Sequence, residues 1–230
     1  MNTIIEGIRQ AFALLFHLDP EVAEITLLSL RLSGLATLIS LLLGMPFGTW
    51  LALAHPRGRN FLLSLVNTGM AMPPVVVGLF VSIFLWRSGP LGDLHWIYTP
   101  IAIIIAQTVI AAPVVTGLTA AALQQLDPRL RLQLLGIGAS PLQMVLALWG
   151  EARLPLLAAV MAGFGSVISE VGASMMVGGN IRYQTRVLTT AIVLETGKGN
   201  FVLAIALSVI LLLIAYLINL LLTWVQQGRK

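Results

Sequence analysis

Long apolar stretches alternate with more polar ones along this chain, and the apolar stretches have the length of membrane-spanning helices. Each stretch is about 20 residues or longer, which is what a helix needs to cross roughly 30 Å of hydrocarbon. None shows the short, alternating, turn-punctuated pattern of barrel strands. The pattern predicts an all-α polytopic membrane protein with about five transmembrane helices, at residues 20–54, 61–86, 97–123, 154–176 and 201–225.

A further helix is predicted before the first span, because apolar residues recur at helical spacing in residues 4–16. Glu6, Arg9 and Gln10 lie on the opposite side of that helix. This distribution is typical of an amphipathic helix at the membrane interface, which we predict for residues 1–18. A cleaved signal peptide is the alternative, but Glu6 and Arg9 interrupt its apolar run and no small-residue cleavage site follows.

Composition agrees with a membrane protein and excludes several kinds of site. The chain is 58% hydrophobic and 10% charged, whereas soluble proteins carry about 25% charged residues. It has no cysteine, which excludes a disulfide framework and a thiolate metal site. Its histidines, His17, His55 and His95, lack the spacing of metal ligands, so we predict no metal site. The pI of about 10.1 comes from a few loop charges, so no nucleic-acid partner is expected.

Lysine and arginine positions favour one orientation of the predicted spans. With the N-terminus outside, seven basic residues lie in cytoplasmic segments: Arg57, Arg59, Arg129, Arg131, Arg153, Arg229 and Lys230. Five lie outside: Arg9, Arg87, Arg182, Arg186 and Lys198. The difference follows the positive-inside rule, and Arg57 and Arg59 weigh most because they occupy a very short loop. We therefore expect a multi-pass protein of the cytoplasmic (inner) membrane, with its C-terminus in the cytoplasm.

A polar segment at residues 124–153 separates the third predicted span from the fourth. Asp127 and Pro128 can begin a helix in this segment. After a glycine turn, Ser140 and Pro141 can begin a second, shorter helix. Loops longer than about 12 to 15 residues are uncommon unless they have a function. We therefore predict that this segment lies outside the membrane and contacts a soluble partner; an ordinary connecting loop is the alternative.

The second half of this segment, together with Leu154 and Pro155 beyond it, resembles the cytoplasmic coupling loop of ABC importer permeases. In that family, the short helix after the motif glycine sits in a groove of the ATPase subunit and transmits its closure to the membrane helices. The resemblance implies that coupling to an ATPase is carried by Gly138, Ala139, Ser140, Pro141, Gln143 and Met144. Two features depart from the family pattern. The Glu-Ala-Ala signature is replaced by residues 132–134, Leu-Gln-Leu, and the stretch from Gly138 to Pro155 is about four residues, or one helical turn, longer than usual.

These two departures, together with the sequences of residues 72–78, 169–182 and 185–199, resemble features of the tungstate-type permeases. That group is related to the molybdate and sulfate permeases. The resemblance implies a type I ABC importer permease fold, formed by residues 1–230 as a single domain with an extracytoplasmic loop at residues 177–200. It also implies that the chain forms the translocation pathway for an oxyanion. Tungstate is the first expectation, and molybdate or sulfate is the alternative.

The resemblance further implies several partners: a second copy of the chain, two ABC ATPase subunits, an extracytoplasmic oxyanion-binding protein and membrane lipid. The chain contains no G-x-x-x-x-G-K-[ST] sequence, the motif with which a P-loop holds nucleotide phosphates. We therefore expect that it binds no cofactor and is not an enzyme, and that ATP and Mg²⁺ are used by the separate ATPase. A secondary transporter is a further alternative, but the internal inverted repeats of that class are not visible in the sequence.

The fourth predicted span carries residues that suit a translocation pathway. One small and polar helix face would be formed by residues that repeat every four positions: Ala158, Ala162, Ser166, Glu170 and Ser174. Close helix packing is the simpler explanation for its small residues, but an ionisable residue in a span usually faces a partner or a cavity. Two prolines also interrupt the second span, and the freed backbone groups must face protein or a cavity. We therefore predict a pathway or gate at Pro73, Pro74, Ser166, Ser169, Glu170 and Ser174.

A carboxylate would repel an oxyanion, so we expect Glu170 to be paired or neutral rather than a ligand. Arg31 is predicted to be its partner, because both lie roughly 10 Å below the outer surface; snorkelling of Arg31 to the interface is the alternative. Beyond this span, Asn180, Arg182 and Arg186 are predicted to form a basic extracytoplasmic mouth that attracts the oxyanion or meets the binding protein. Ordinary solvated loop charge is the alternative.

Overall fold

The computed structural model describes residues 2–17, 19–54 and 56–227 of the chain. Within those ranges a single-turn 3₁₀ helix, Gly92–Leu94, accompanies the α-helices, and every regular element is helical. The α-helices are α1 (Asn2–Phe16), α2 (Pro20–Leu53), α3 (Arg59–Met70), α4 (Pro74–Leu85), α5 (Pro100–Gln124), α6 (Pro128–Gly136), α7 (Pro141–Glu151), α8 (Arg153–Ile168), α9 (Gly172–Gly178), α10 (Leu188–Gly197) and α11 (Phe201–Gln227).

Three of these helices, α2, α5 and α11, are each long and apolar enough to cross a membrane. Two bent pairs raise the number to five if each pair counts as one span. These pairs are α3 with α4, bent by 98°, and α7 with α8, bent by 79°. The predicted all-α polytopic fold class is confirmed.

Local signals explain where many helices begin. Proline lies in the first turn of α2, α4, α5, α6 and α7. Backbone N–H groups in the first turn of a helix have no partner within that helix, so proline, which lacks an N–H, loses no hydrogen bond there. Its restricted φ also suits the first turn. Asp19 caps α2 by accepting from the backbone N–H groups of Glu21 and Val22, at 3.1 and 3.0 Å.

Helices α2 and α5 form the centre of the fold and approach closely because glycines lie between them. A Cβ added at Gly48 would be 2.5 Å from the carbonyl oxygen of Thr116, and one at Gly44 would be 2.9 Å from Cγ1 of Val115. Small residues let helices meet closely in lipid, where van der Waals packing drives their association. Helix α3 packs on α5, and α8 packs on both central helices.

Helix α1 packs along α11. A Cβ at Gly7 would lie 2.6 Å from Cβ of Ile205, and Ala11 is fully buried in a cluster that includes Val22 and Ile210. The exposed side chains of α1 include both polar residues, Glu6 and Arg9, and large apolar ones: Ile4, Ile5, Ile8 and Phe12. The helix expected before the first span is therefore present, while its position at the membrane interface stays a prediction. Several residues named in the sequence predictions lie outside the described residues: Met1, Leu18, His55, Arg229 and Lys230.

The fourth predicted span is broken. Helix α8 ends at Ile168 and α9 begins at Gly172. Glu170 lies between them, and its side chain accepts hydrogen bonds from the first turn of α9. The predicted continuous face is therefore wrong, since its last two residues do not lie on the helix that carries the first three: Ala158, Ala162, Ser166, Glu170 and Ser174.

Candidate functional site

The polar segment folds as the sequence predicts, into α6, a glycine turn and α7. Helix α6 ends in a Schellman motif, in which the N–H of Ala139 donates to the carbonyl of Leu134 and the N–H of Gly138 to that of Leu135, each at 3.0 Å. Gly138 has a φ of +78°, in the left-handed region that glycine adopts without a Cβ penalty. The motif glycine thus turns the chain between the two helices.

A capping box begins α7. The N–H of Gln143 donates to Oγ of Ser140 at 3.4 Å, and the N–H of Ser140 donates to Oε1 of Gln143 at 2.9 Å. Pro141 is the first residue of the helix, and Met144 packs against the apolar cluster beneath it. Of the residues predicted to couple to an ATPase, Gly138 and Ala139 close α6, and the others form the start of α7.

Three contacts fasten this segment to the membrane helices. Nε1 of Trp149 donates to Oγ1 of Thr49 at 2.9 Å, and Nη1 of Arg131 donates to the carbonyl of Leu53 at 2.9 Å. Leu148 is buried among side chains of α2, α5 and α8. Because both hydrogen bonds end on the last turns of α2, a displacement of α6 or α7 would act directly on that helix.

The same segment exposes large apolar side chains, which together form what we term the coupling surface: Leu132, Leu135, Ile137, Leu142 and Leu146. Ile137, at the turn, is 80% exposed. Exposed apolar groups of this size on a polar segment make it a candidate for contact with another molecule. The sequence prediction rested on the caps and the glycine, and it did not single out these side chains.

Glu170 occupies the break between α8 and α9 and is only 5% exposed. Its carboxylate accepts from the N–H of Ala173 at 2.6 Å, from the N–H of Ser174 at 3.0 Å and from the Ser174 hydroxyl at 2.7 Å. The two N–H groups belong to the first turn of α9, where a negative charge is favourable. The carbonyl of Glu170 accepts from the Thr189 hydroxyl at 2.8 Å, which ties the break to α10. Glu170 therefore holds the start of α9 in place.

The predicted ion pair between Arg31 and Glu170 is wrong. Within the part of the chain that the structure describes, the ion pairs join Arg182 to Glu21, Arg186 to Glu21 and Lys198 to Glu195. Arg31 is exposed beside a separate cavity of about 440 Å³. Two residues at equal depth in a membrane need not lie on facing sides of their helices. In addition, the carboxylate oxygens of Glu170 already accept hydrogen bonds from α9.

The break at Glu170 packs against the break at Pro73 and Pro74. A Cβ added at Gly172 would lie 2.7 Å from Cγ2 of Val75, in the first turn of α4. Helices α4 and α9 remain in contact beyond this point. Two interruptions that the sequence suggested separately are therefore neighbours in the fold.

The three predicted pathway serines differ in exposure. Ser174 is fully buried against Glu170, and Ser166 is half-buried and donates to the carbonyl of Gly163 at 2.8 Å. Ser169 is exposed and donates to the carbonyl of Gly165 at 2.8 Å. In this conformation the Glu170 and Ser174 side chains are buried and hydrogen-bonded to each other. A pathway role for the predicted set, including Ser169, stays a prediction.

Glu21 brings together the two arginines of the predicted mouth. Its carboxylate lies 2.5 Å from Nη2 of Arg182 and 3.5 Å from Nη1 of Arg186. The hydrogen bond to Glu21 raises the pKa of the Arg182 guanidinium above its ordinary value. Nδ2 of Asn180 donates to the carbonyl of Thr190 at 3.4 Å. Glu21 thus offsets part of the positive charge of these arginines, which the sequence did not suggest because an acidic residue in a first helical turn is ordinary. That they form an extracytoplasmic mouth stays a prediction.

Residues 44–230 match the family described as the inner membrane component of binding-protein-dependent transport systems. This chain belongs to that family. The permease is 37% identical over 227 residues to the tungstate uptake system permease protein TupB of Peptoclostridium acidaminophilum, covering 99% of this chain and 100% of that protein. It is 35% identical to TupB of Campylobacter jejuni, with 95% of this chain and 92% of that protein covered. The molybdenum permease ModB of Escherichia coli is 28% identical, with 86% and 93% covered.

Among solved structures, the permease resembles the inward-facing MetNI methionine ABC transporter. The TM-score is 0.74 at 21% identity, with 95% of this chain and 98% of that chain covered. This likeness shows the fold and confirms the predicted type I ABC importer permease architecture. The permease is therefore a multi-pass membrane protein.

Proposed function

We propose that this permease and a second copy of it form the translocation pathway of an ATP-driven oxyanion importer, with tungstate as the first substrate. The observation that carries the proposal is the polar segment at residues 124–153, which we term the coupling segment. It exposes the coupling surface, and its Arg131 and Trp149 donate hydrogen bonds to the end of α2. Relatives of nearly the same length that are named for tungstate uptake support the substrate. Molybdate is the second candidate, because the permease named for molybdenum is more distant.

Two ABC ATPase subunits are the partners of the coupling surface, one for each copy. In this arrangement Gly138 and Ala139 orient the start of α7 towards the ATPase, which uses ATP and Mg²⁺. An extracytoplasmic binding protein supplies the oxyanion at the other side, near Asn180, Arg182 and Arg186. The coupling segment and the C-terminus then lie in the cytoplasm, and the N-terminus lies outside. This orientation agrees with the distribution of arginine and lysine.

Helix α2 is the element that connects the two sides in this proposal. It has 34 residues and is therefore about 51 Å long. Thr49 and Leu53 accept hydrogen bonds from the coupling segment near one end. Glu21 pairs with Arg182 and Arg186 at the other. Closure of the ATPases that displaces α7 would move α2, and with it the loop that forms the mouth.

Uptake into reconstituted vesicles tests the proposal. Vesicles that carry the permease with its ATPase should accumulate tungstate when ATP is on the ATPase side and the loaded binding protein is on the other. Omission of ATP, or of the binding protein, is the control and should abolish uptake. Excess molybdate should compete less well than excess tungstate. Uptake that persists without the ATPase subunit would contradict an ATP-driven importer.

A further inference from the structure

Helix α3 carries a polar face that is open on the outside of the chain. It consists of four exposed residues that recur on one side of the helix, and we term it the α3 polar face: Asn60, Ser64, Asn67 and Thr68. With Leu63 and Ala71 they line an open groove of about 580 Å³. These residues do not stand out in the sequence, because they begin a span that is apolar on average.

The other sides of α3 have different surroundings. One side packs on α5, where a Cβ added at Gly69 would lie 2.9 Å from Cγ of Pro113. Another is exposed and apolar, with Leu65 60% exposed. An apolar exposed side suits lipid, and a close-packed side suits a neighbouring helix. The α3 polar face matches neither environment.

Hydrocarbon is a poor environment for the α3 polar face. The side-chain amides of Asn60 and Asn67 have no hydrogen-bond partner among the described residues, and the Thr68 hydroxyl donates to the carbonyl of Ser64 at 2.9 Å. Amides that leave water without gaining a partner are costly to bury. Yet α3 belongs to a helix pair that is apolar enough to cross a membrane as one bent span. The face therefore requires water or another polar surface within the membrane.

The position of α3 follows from its first residue. Nε of Arg59 donates to the carbonyl of Leu51, at 2.8 Å, close to the contacts of the coupling segment on α2. In the proposed orientation α3 thus begins at the cytoplasmic side. Asn67 lies about 12 Å further along the helix axis. The α3 polar face leads from the coupling side towards the break at Pro73.

We infer that the α3 polar face lines the inner part of an aqueous oxyanion pathway between two copies of the chain. This inference deepens the proposed function and rests on it. The amide and hydroxyl groups donate hydrogen bonds to the oxygens of the anion, and the four residues carry no charge. Neutral donors hold an anion less firmly than arginine does. Passage requires binding that is favourable enough for entry and weak enough for release.

Single cysteines test the environment of this face, because the natural chain has no cysteine. Asn67→Cys and Thr68→Cys place a thiol in the face, and Leu65→Cys places one on the apolar side as the matched control. A charged, membrane-impermeant methanethiosulfonate is added on the ATPase side of vesicles that carry the complex. It should modify the first two thiols at least about tenfold faster than the third, because reaction requires a thiolate in contact with water. Equal rates at all three positions would overturn the inference.

Uptake provides an independent measure. Asn67→Leu removes the amide and should lower tungstate uptake about tenfold, as expected for loss of one hydrogen bond to a charged group. Asn67→Gln keeps an amide and should retain most of the uptake, and Leu65→Ala should leave it unchanged. Co-purification of the ATPase in normal amounts reports assembly of each variant, and Thr68→Val replaces Asn67→Leu if that variant fails to assemble. Normal uptake in an assembled variant that lacks the polar group would overturn the role of the face.

The inference and the proposed function fail in different ways. If the unmodified complex shows no ATP-dependent uptake, the proposed function is contradicted whatever the labelling rates are. If that uptake is normal but the thiols at Asn67 and Thr68 react as slowly as the one at Leu65, only the inference about α3 is wrong.

Discussion

Gly136 and Gly138 offer a matched pair of substitutions in the coupling segment. A Cβ added at either position would meet nothing within 4 Å, so neither change creates a steric contact. The two residues differ in backbone conformation. Gly136 is the last residue of α6, whereas Gly138 has a φ of +78°. Replacing each by alanine therefore isolates the cost of the left-handed backbone.

The expected magnitude follows from that conformation. A left-handed backbone costs an L-residue roughly 1–2 kcal/mol. Because this corresponds to a factor of about 5–30 in an equilibrium, Gly138→Ala should deplete the Schellman turn by that factor. Gly136→Ala should be neutral or stabilising, since alanine exceeds glycine in helix propensity by about 1 kcal/mol. Gly138→Asn should lie between the two, because asparagine tolerates the left-handed region.

The assay is the amount of tungstate taken up per ATP hydrolysed by the reconstituted complex. Gly138→Ala should lower this ratio at most by the factor by which the turn is depleted, about 5–30, while ATP hydrolysis continues. Gly138→Asp, which also adds a charge beside the coupling surface, should uncouple hydrolysis from uptake and leave the membrane fold intact. Gly136→Ala is the control and should keep the normal ratio.

Equal ratios for the two alanine variants would refute this reasoning, because the left-handed turn would then have no effect on coupling. The unfolding temperature of each purified variant separates coupling from stability. If Gly138→Asp fails to fold, the segment has a structural role and the uncoupling prediction is wrong.

Three further contacts allow predictions. Glu170→Gln should lower the free energy of unfolding by about 1–3 kcal/mol, because an amide nitrogen would face N–H donors of α9. As the control, Arg31→Gln should change the free energy of unfolding by no more than about 0.5 kcal/mol. Equal losses of stability in thermal unfolding would contradict the capping role of Glu170. Trp149→Phe removes a hydrogen bond worth about 0.5–1.5 kcal/mol and should lower uptake per ATP hydrolysed; unchanged coupling would exclude transmission through that bond. The hydrogen bond from Lys198 lowers the pKa of Glu195, so its stabilisation is present above the ordinary carboxyl pKa and is lost as pH falls through the lowered value. Lys198→Met should therefore flatten the decrease in unfolding temperature below about pH 4.3, and an unaltered profile would contradict it.

Local sequence signals specify where several helices begin and how the coupling segment folds. Asp19, Asp127 and Ser140 each accept from N–H groups two or three residues further along the chain. The proline that follows each of them suits the first helical turn. Gly138 ends α6 through bonds that reach back no more than five residues. Such signals are readable in the sequence because all their partners lie within about one turn of helix.

Which side chains face one another across helices depends on how the helices pack together. The depths of Arg31 and Glu170 could be estimated from the ends of their spans, but their facing could not. Facing depends on the rotation of each helix, which is set by close contacts such as those of Gly48 with α5. The pairing of Glu21 with Arg182 joins residues 161 positions apart, and no local pattern encodes a contact of that range. The same packing left one polar side of α3 uncovered, which average hydropathy concealed because it does not record which side of a helix a residue occupies.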